Sequence, residues 1–365
     1  MSRTAPSPLG PLVRIRTGKL DANANNPSGQ YPFFTCSKTP LRISSYSFDC
    51  ECVLVAGNGD LNVKYYEGKF DAYQRTYIIE SLDSGVLSPK YLFRFLSEYV
   101  DELRRGSVGG VIKFIKLGHL TKALIPVPPL AEQERIVKLL DEADELRKLR
   151  AQADRRTAAL IPALFHEMFG DAELHCSSVT IEKAVEQFID YRGKTPEKSL
   201  SGVPLVTAKI VKGGRILPPT EYIPEVNYDS WMRRGLPRMG DVLFTMEAPL
   251  GEVAMVKDTH IALAQRILLM RPRADILDSC YFMTALKMPC VWKQIEERAT
   301  GSTVRGIRQA ELRKITMPIP PLPLQKKFAQ RVSEIRELET AQAASRQRVE
   351  HLFQSMLHRA FNQEL

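Results

Sequence analysis

The stretch PVPPLAEQERI (126–136) has a near-copy in PIPPLPLQKKF (318–328). Sliding the chain by 192 residues places Pro126, Pro128, Pro129, Leu130 and Gln133 on Pro318, Pro320, Pro321, Leu322 and Gln325. The match continues without a gap through Leu146/Leu338, Leu160/Leu352, His166/His358 and Phe169/Phe361, giving 13 identities in 44 aligned pairs. Average composition would give about three by chance. Upstream, Gly109, Ile115 and Leu120 fall on Gly301, Ile307 and Leu312. One unit is therefore written twice, a globular region followed by a long helix.

Prolines ahead of each helix fix its entry and need no amide partner. Beyond them, Ile136, Leu140, Ala143 and Leu146, and in the copy Phe328, Val332, Ile335 and Leu338, recur at three- and four-residue steps. The stripe resumes at Leu160 and Leu164, and at Leu352 and Met356. Ile136, Leu140, Leu146 and Leu160 are thus expected to meet Phe328, Val332, Leu338 and Leu352 in a seam between the helices, in preference to each stripe packing on its own domain. The far end of the first helix launches the second globular region, so paired helices must run antiparallel. About 30 paired residues would form a ruler of about 45 Å. Pro162, opposite Gln354, is expected to kink the first helix.

With 365 residues, 44% hydrophobic and 25% charged, the chain has room for two domains and their connectors. Its net charge of +9 favours a polyanionic partner over a membrane. The surplus is +5 in residues 1–124, −1 in 125–170, +3 in 171–316 and +2 in 317–365, so the globular regions carry most of it. The cysteines at 36, 50, 52, 176, 280 and 290 show no paired metal-binding spacing and suit thiols in a reducing cytosol. The opening MSRTAPSPLGPL has no apolar core of a signal peptide, and no apolar run approaches a bilayer's thickness. A cytoplasmic protein is expected.

Short β-like runs lie at YPFFTC (31–36), CVLVAGNGD (52–60) and RTYIIE (75–80), then at VPLVTAKIV (203–211), DVLFTM (241–246), GEVAMV (251–256) and RILLMRP (266–272). Helical segments follow at 88–105 and 278–299, which makes each region mixed α/β. The residues before GQYPFF are rich in Asn, Ala and Pro, an opening expected to be trimmed or irregular. Gly57-Asn58-Gly59 would let amides approach a phosphate, although an ordinary hairpin turn explains it more simply. YRGKTPEK (191–198), TAKIVKGGR (207–215) and GSTVRGIRQ (301–309) interleave basic and small polar residues, as a surface that tracks a nucleic-acid backbone requires. Candidates for DNA contact are Lys38, Arg42, Asn58, Lys64, Arg75 and Lys113 in the first region. In the second they are Arg192, Lys194, Lys209, Lys212, Arg215 and Arg305. Tyr191, Tyr222 and Trp231 suit a core as well as they suit stacking.

No phosphate loop, dinucleotide fingerprint, nucleophile elbow or Asn/Asp-Pro-Pro-Tyr/Phe motif occurs, and no acidic cluster is spaced for Mg²⁺. His166 and His358 recur at the repeat offset, which packing or subunit contact explains better than a metal. No catalytic residue and no metal ligand is assigned.

A globular region ending in GSTVRGIRQAELRKITMPIPPLPLQ, followed by a long helix and present twice, resembles the specificity subunit of type I restriction-modification systems. The likeness spans essentially the whole chain and is sharpest in LIPVPPLAEQERIVKLLDEADELRKLR and its copy. It implies two α/β (α+β) globular target-recognition domains, at 1–124 and 172–316, separated by two long antiparallel helices forming a coiled-coil spacer, at 125–171 and 317–365. Each domain would read one half of a split sequence in double-stranded DNA, through the major groove. The ruler would then span about 13 base pairs. The chain itself would hold no cofactor. S-adenosylmethionine, ATP and Mg²⁺ would belong to its partners, two copies of an adenine-N6 methyltransferase subunit and a restriction/translocase subunit. Glu142, Glu145, Glu334 and Glu337, repeated on the helices, are the implied docking positions. A fragment of a fused methyltransferase–nuclease and a coiled-coil scaffold without a DNA role are the alternatives. The missing methyltransferase motif and the basic globular regions, respectively, count against them.

Overall fold

The computed structural model describes residues 5–170, 178–191, 193 and 195–362. The chain divides into two units, one holding residues up to Gln152 with those from Ala343 onward, the other holding Ala153–Gln342. The boundary falls inside both long helices, so each unit contains a globular region and a segment of each helix.

In the first unit, the strand Phe48–Ala56 ends in five consecutive buried residues, CVLVA, which marks an interior strand covered on both faces. It pairs antiparallel with Val63–Ala72 on one side and with Thr76–Ser81 on the other. Val13–Thr17 adds beyond Thr76–Ser81, and Tyr31–Phe34 runs parallel to the end of Val63–Ala72 with Leu41–Ile43 outermost. The helix Pro89–Gly106 buries Tyr91, Leu92, Phe95 and Leu96 against Val53, Val55 and Ile79. Alternate residues Cys52 and Leu54 join Phe34, Phe48 and Phe70 in a second cluster, as a period of two demands. The Asn-, Ala- and Pro-rich stretch after Thr17 up to Tyr31 is irregular, as expected, a loop with one isolated bridge, whereas Ser7–Pro8 ahead of it is anchored on Leu124–Ile125.

The second unit repeats this order with one division. Val185–Asp190, Ile267–Pro272, Val242–Thr245 and Val253–Met255 form one sheet. Tyr222–Ile223, Val203–Val206 and Ala262–Leu263 form another, with the same parallel pair in it. Residues 257–260, KDTH, interrupt what is a single strand in the first unit. Ser178–Thr180 pairs with Thr316–Pro318, as Ser7–Pro8 pairs with Leu124–Ile125. The single helix expected over 278–299 is two, Ser279–Ala285 and Pro289–Arg298. Pro289 forces Met288 into an extended conformation (ψ 147°), which ends the first. Tyr191 and Trp231 are stacked in the core, and the Tyr191 hydroxyl donates to the Gly235 carbonyl at 3.2 Å.

The first long helix runs Leu130–Ala158 and breaks at Ala159 before Leu160–Phe169, because Pro162 offers no amide to the Ala158 carbonyl. The second runs unbroken over the 40 residues Leu322–Phe361, with Gln354 at the matching place. Within the first unit the helices lie antiparallel. Ile136, Val137, Leu140 and Ala143 share a cluster with Phe353, Leu357 and Ala360, and Arg147 bonds Glu350. Within the second, Ile161, Leu164, Phe165 and Phe169 pack with Phe328 and Val332.

Four expected seam residues are not buried: Leu146, Leu160, Leu338 and Leu352 are each about half exposed (53, 42, 46 and 52%). Phe353 takes the place expected of Leu352. It follows Phe328 by 25 residues, about seven turns, and so returns to the same face. Leu160 is displaced by the break at Ala159, and Leu146 and Leu338 lie past the ends of their buried clusters. His166 and His358 are exposed, which removes a core-packing role. Among the described residues, no helix is long and apolar enough to cross a membrane.

Candidate nucleic-acid interface

Loops converge at one end of the first unit's sheet and are bonded to one another. The Cys36 thiol donates to Asn58 Oδ1 at 2.8 Å, and Asn62 Nδ2 donates to the Cys36 carbonyl at 2.8 Å. The Gly57 amide donates to the Arg75 carbonyl (2.8 Å), the Gly59 amide to the Lys113 carbonyl (3.0 Å) and the Ile115 amide to the Gly57 carbonyl (2.9 Å). Lys38, Asn58, Lys64, Arg75 and Lys113 are thereby brought together. Arg42 sits apart on Leu41–Ile43, its Nε donating to the Gly29 carbonyl at 2.9 Å.

These residues are not equally available. Lys38 lies 3.2 Å from Asp60, which Arg104 also approaches at 3.6 Å. Lys64 is half-buried and bonds Asn62, and burial lowers its pKa, so it fastens the loops together. Arg75 and Lys113 are exposed. The amides of Gly57 and Gly59 are spent on carbonyls, so the turn they form is a packed corner and not an anion cradle.

The second unit builds the same end with different side chains. The Met246 amide donates to the Arg266 carbonyl (3.0 Å) and the Ile307 amide to the Met246 carbonyl (3.0 Å). Val108 and Phe114 exchange amide bonds at 2.9 and 2.8 Å, and Thr300 and Gly306 do so at 2.8 and 2.9 Å. The matched Gly109 and Gly301 both hold positive φ (114° and 104°), where a side chain would be strained. Glu247 occupies the place of Asn58, bridging Gly306 as Asn58 bridges Phe114.

Lys209 is exposed in the loop after Val203–Val206. Lys212 and Arg215 lie on a small hairpin fastened to the second long helix, where Arg215 Nη2 meets Glu339 at 2.8 Å and Arg336 donates to the Gly213 carbonyl at 3.1 Å. Arg215 is thus engaged with the helix. Arg305 is exposed and donates to the Glu296 carbonyl at 2.7 Å. Arg192 and Lys194 lie outside the described residues. Glu142, Glu145, Glu334 and Glu337 are all exposed on the long helices.

Arg266 escaped the sequence reading. It holds the place of Arg75, and the signal was the Gln-Arg dipeptide preceding Thr76–Ser81 and Ile267–Pro272. That pair is offset by 191 residues, one less than the slide that aligns the helices. Lys116 and Arg308, matched at the offset of 192, are both exposed and were also passed over. No group of His, Cys, Asp and Glu suited to a metal occurs among the described residues.

The family model for the type I restriction modification DNA specificity domain matches the chain twice, at residues 2–154 and 204–351. The chain belongs to this family. Each match begins in or near a globular region and ends within a long helix, which is the repeat read from the sequence. Among relatives, the specificity subunit of the type I restriction enzyme EcoDI of Escherichia coli is 41% identical over 133 residues, covering 36% of this chain and 29% of that protein. The EcoBI specificity subunit of the same organism is 22% identical over 97% of this chain and 80% of its own length. The crystal structure of the type I S subunit from M. genitalium has the same fold, with a TM-score of 0.60 at 16% identity, covering 98% of this chain and 95% of that one. Within the specificity family, this chain's repeat keeps its scaffold and varies the residues at the strand ends.

Proposed function

We propose that this chain is the non-catalytic DNA-reading subunit of a type I restriction-modification complex. Each globular half reads one half of an asymmetric, interrupted target through the major groove. The long helices fix the gap between half-sites and present Glu142, Glu145, Glu334 and Glu337 to two copies of an adenine-N6 methyltransferase subunit. Methylation and cleavage fall to that subunit and to a restriction/translocase subunit, which would carry S-adenosylmethionine, ATP and Mg²⁺. The observation that carries this reading is a scaffold built twice with the same internal bonds but unlike, half-buried side chains at the strand ends, Asn58 against Glu247. Two unlike readers on one frame suit a target whose halves differ.

The test is methylome sequencing of a host expressing the complete system, which should return one bipartite motif with two different half-sites. Purified with its methyltransferase partner, the chain should bind that duplex about 10³-fold or more tighter than scrambled DNA. Equal affinity for both at moderate salt would reject the reading.

A further inference from the structure

The two halves offer an internal comparison. If both grip the same polymer but read different sequences, side chains alike at matching places should touch what every sequence shares, the phosphate backbone. Side chains that differ at a matching place should touch bases. The backbone bonds above make the matching exact enough to apply this residue by residue. Arg75 matches Arg266, Lys113 matches Arg305 and Lys116 matches Arg308, so three basic positions recur around the same strand end. All six are exposed. Beside them lies a polar position that changes chemical type, Asn58 in the first half and Glu247 in the second.

We propose that Asn58 and Glu247 are equivalent base-reading positions, each flanked by a basic triad that holds the phosphates, Arg75/Lys113/Lys116 in one half and Arg266/Arg305/Arg308 in the other. The proposal rests on the DNA-reading function above and deepens it. The chemistry at each position sets what it reads. Asn58 Oδ1 already accepts the Cys36 thiol, which leaves the amide N–H groups to donate toward a base acceptor such as guanine O6 or N7. Glu247 has only acceptors. Oε1 takes the Arg266 Nε at 2.8 Å, and the carboxylate, 42% exposed, has the other oxygen for an exocyclic amino group of cytosine or adenine. Arg266 thus holds Glu247 in place beside the phosphates.

The experiment is methylome sequencing of hosts expressing the whole system with wild-type chain, Asn58→Asp or Glu247→Gln. Each variant should lose discrimination by about 5- to 150-fold at one base pair of one half-site and leave the other half-site intact. If either variant gives no methylation, Asn58→Ser and Glu247→Asp serve for the same comparison. Arg75→Ala and Arg308→Ala should keep both half-sites and lower affinity for every sequence. The slope of log affinity against log salt should fall by about 0.9 for each. A wild-type bipartite motif left unchanged at every base by all the Asn58 and Glu247 variants would overturn the proposal while sparing the function. A wild type with no bipartite motif would instead remove the function itself.

Discussion

Gln133 and Gln325, 192 residues apart in the chain, are both fully buried and make the same three hydrogen bonds. Gln133 accepts the Ser88 amide (2.9 Å) and donates to the Val86 and Pro128 carbonyls (2.8 Å each). Gln325 accepts the Asp278 amide (2.8 Å) and donates to the Ile276 (3.0 Å) and Pro320 (2.7 Å) carbonyls. Each glutamine therefore ties the start of a long helix to the turn that opens the helix of its globular region. Nearby, the Tyr91 and Tyr281 hydroxyls donate to the Pro126 and Pro318 carbonyls at 3.0 and 2.8 Å. The doubled proline-glutamine signature is thus a joint between a recognition domain and its rod.

Glutamine is the residue this joint requires, because it supplies one acceptor and two donors at once. Gln133→Ala leaves a part-buried amide and two part-buried carbonyls without this partner, at no more than about 1–3 kcal/mol for each group. Gln133→Glu should be as harmful, since a carboxylate cannot donate to the two carbonyls. Hydrogen exchange should show the Ser88 amide losing protection in Gln133 variants while the Asp278 amide keeps it, and the reverse for Gln325 variants. Loss of protection at both amides from either single substitution would contradict two separate joints.

A second prediction concerns a buried ion pair in the second unit. Arg271 is held by Asp241 in a two-point contact at 2.9 and 2.8 Å, with its remaining N–H groups on Gln187 and the Leu236 carbonyl. Both side chains are almost wholly buried, 9 and 2% exposed. Asp241→Ala strands a guanidinium inside the protein and should cost about 3–5 kcal/mol. Glu80→Ala, which removes the partner of the partly exposed Arg16, should cost about 1 kcal/mol or less. Denaturant unfolding of the two variants should differ accordingly, and equal losses would place the pair in effectively watery surroundings.

The repeat, the entry prolines and the mixed α/β class were legible because each leaves a local mark in the sequence. Strand Val63–Ala72 was not, since VKYYEGKFDA is a partly exposed strand whose first residues read as surface. The seam was only half legible. Periodicity marks Ile136 and Leu140 as apolar, but exposed Leu146 and Leu149 carry the same signal, and only the partner helix decides which face is covered. At the candidate interface, charge alone cannot separate Arg75 from Arg215, which is exposed too but is engaged by a glutamate more than 120 residues away. Such long-range partners leave no trace in a local window.

Where the helices pair in the first unit, Arg147 reaches Glu350 at 2.8 Å and stacks over the Phe353 ring at 4.2 Å. A hydrogen bond from Gln354, and then Arg147, hold the Glu350 carboxyl below the usual carboxylate range. A lowered folded-state pKa stabilises the fold above the ordinary carboxylate pKa of about 4.3, and that contribution fades as pH falls through the folded value. Glu350 is about half exposed, so its share is small. Glu350→Gln should therefore destabilise slightly at pH 7, and the penalty should shrink as pH falls toward 3. Phe353→Ala, which empties a buried site, should cost about 3–5 kcal/mol at either pH. A Glu350→Gln penalty that persists undiminished at pH 3 would mean that the ion pair is not its source.

The proposed ruler can be shortened without touching a core. Residues 148–154, which follow Arg147, and 343–349, which precede Glu350, contain no buried side chain. Removing both stretches takes one heptad from each rod, a rise of about 10 Å. The rotation lost is within about 20° of whole turns, so the buried faces on either side keep their direction. If the rods set the distance between half-sites, the preferred gap in the DNA target should shorten by about three base pairs, with both half-site sequences unchanged. Deleting a heptad from one rod alone should break their register and abolish methylation. Methylome sequencing of hosts carrying the paired deletion reads out both quantities. A gap that stays the same while the half-sites persist would mean that something other than these helices measures the DNA.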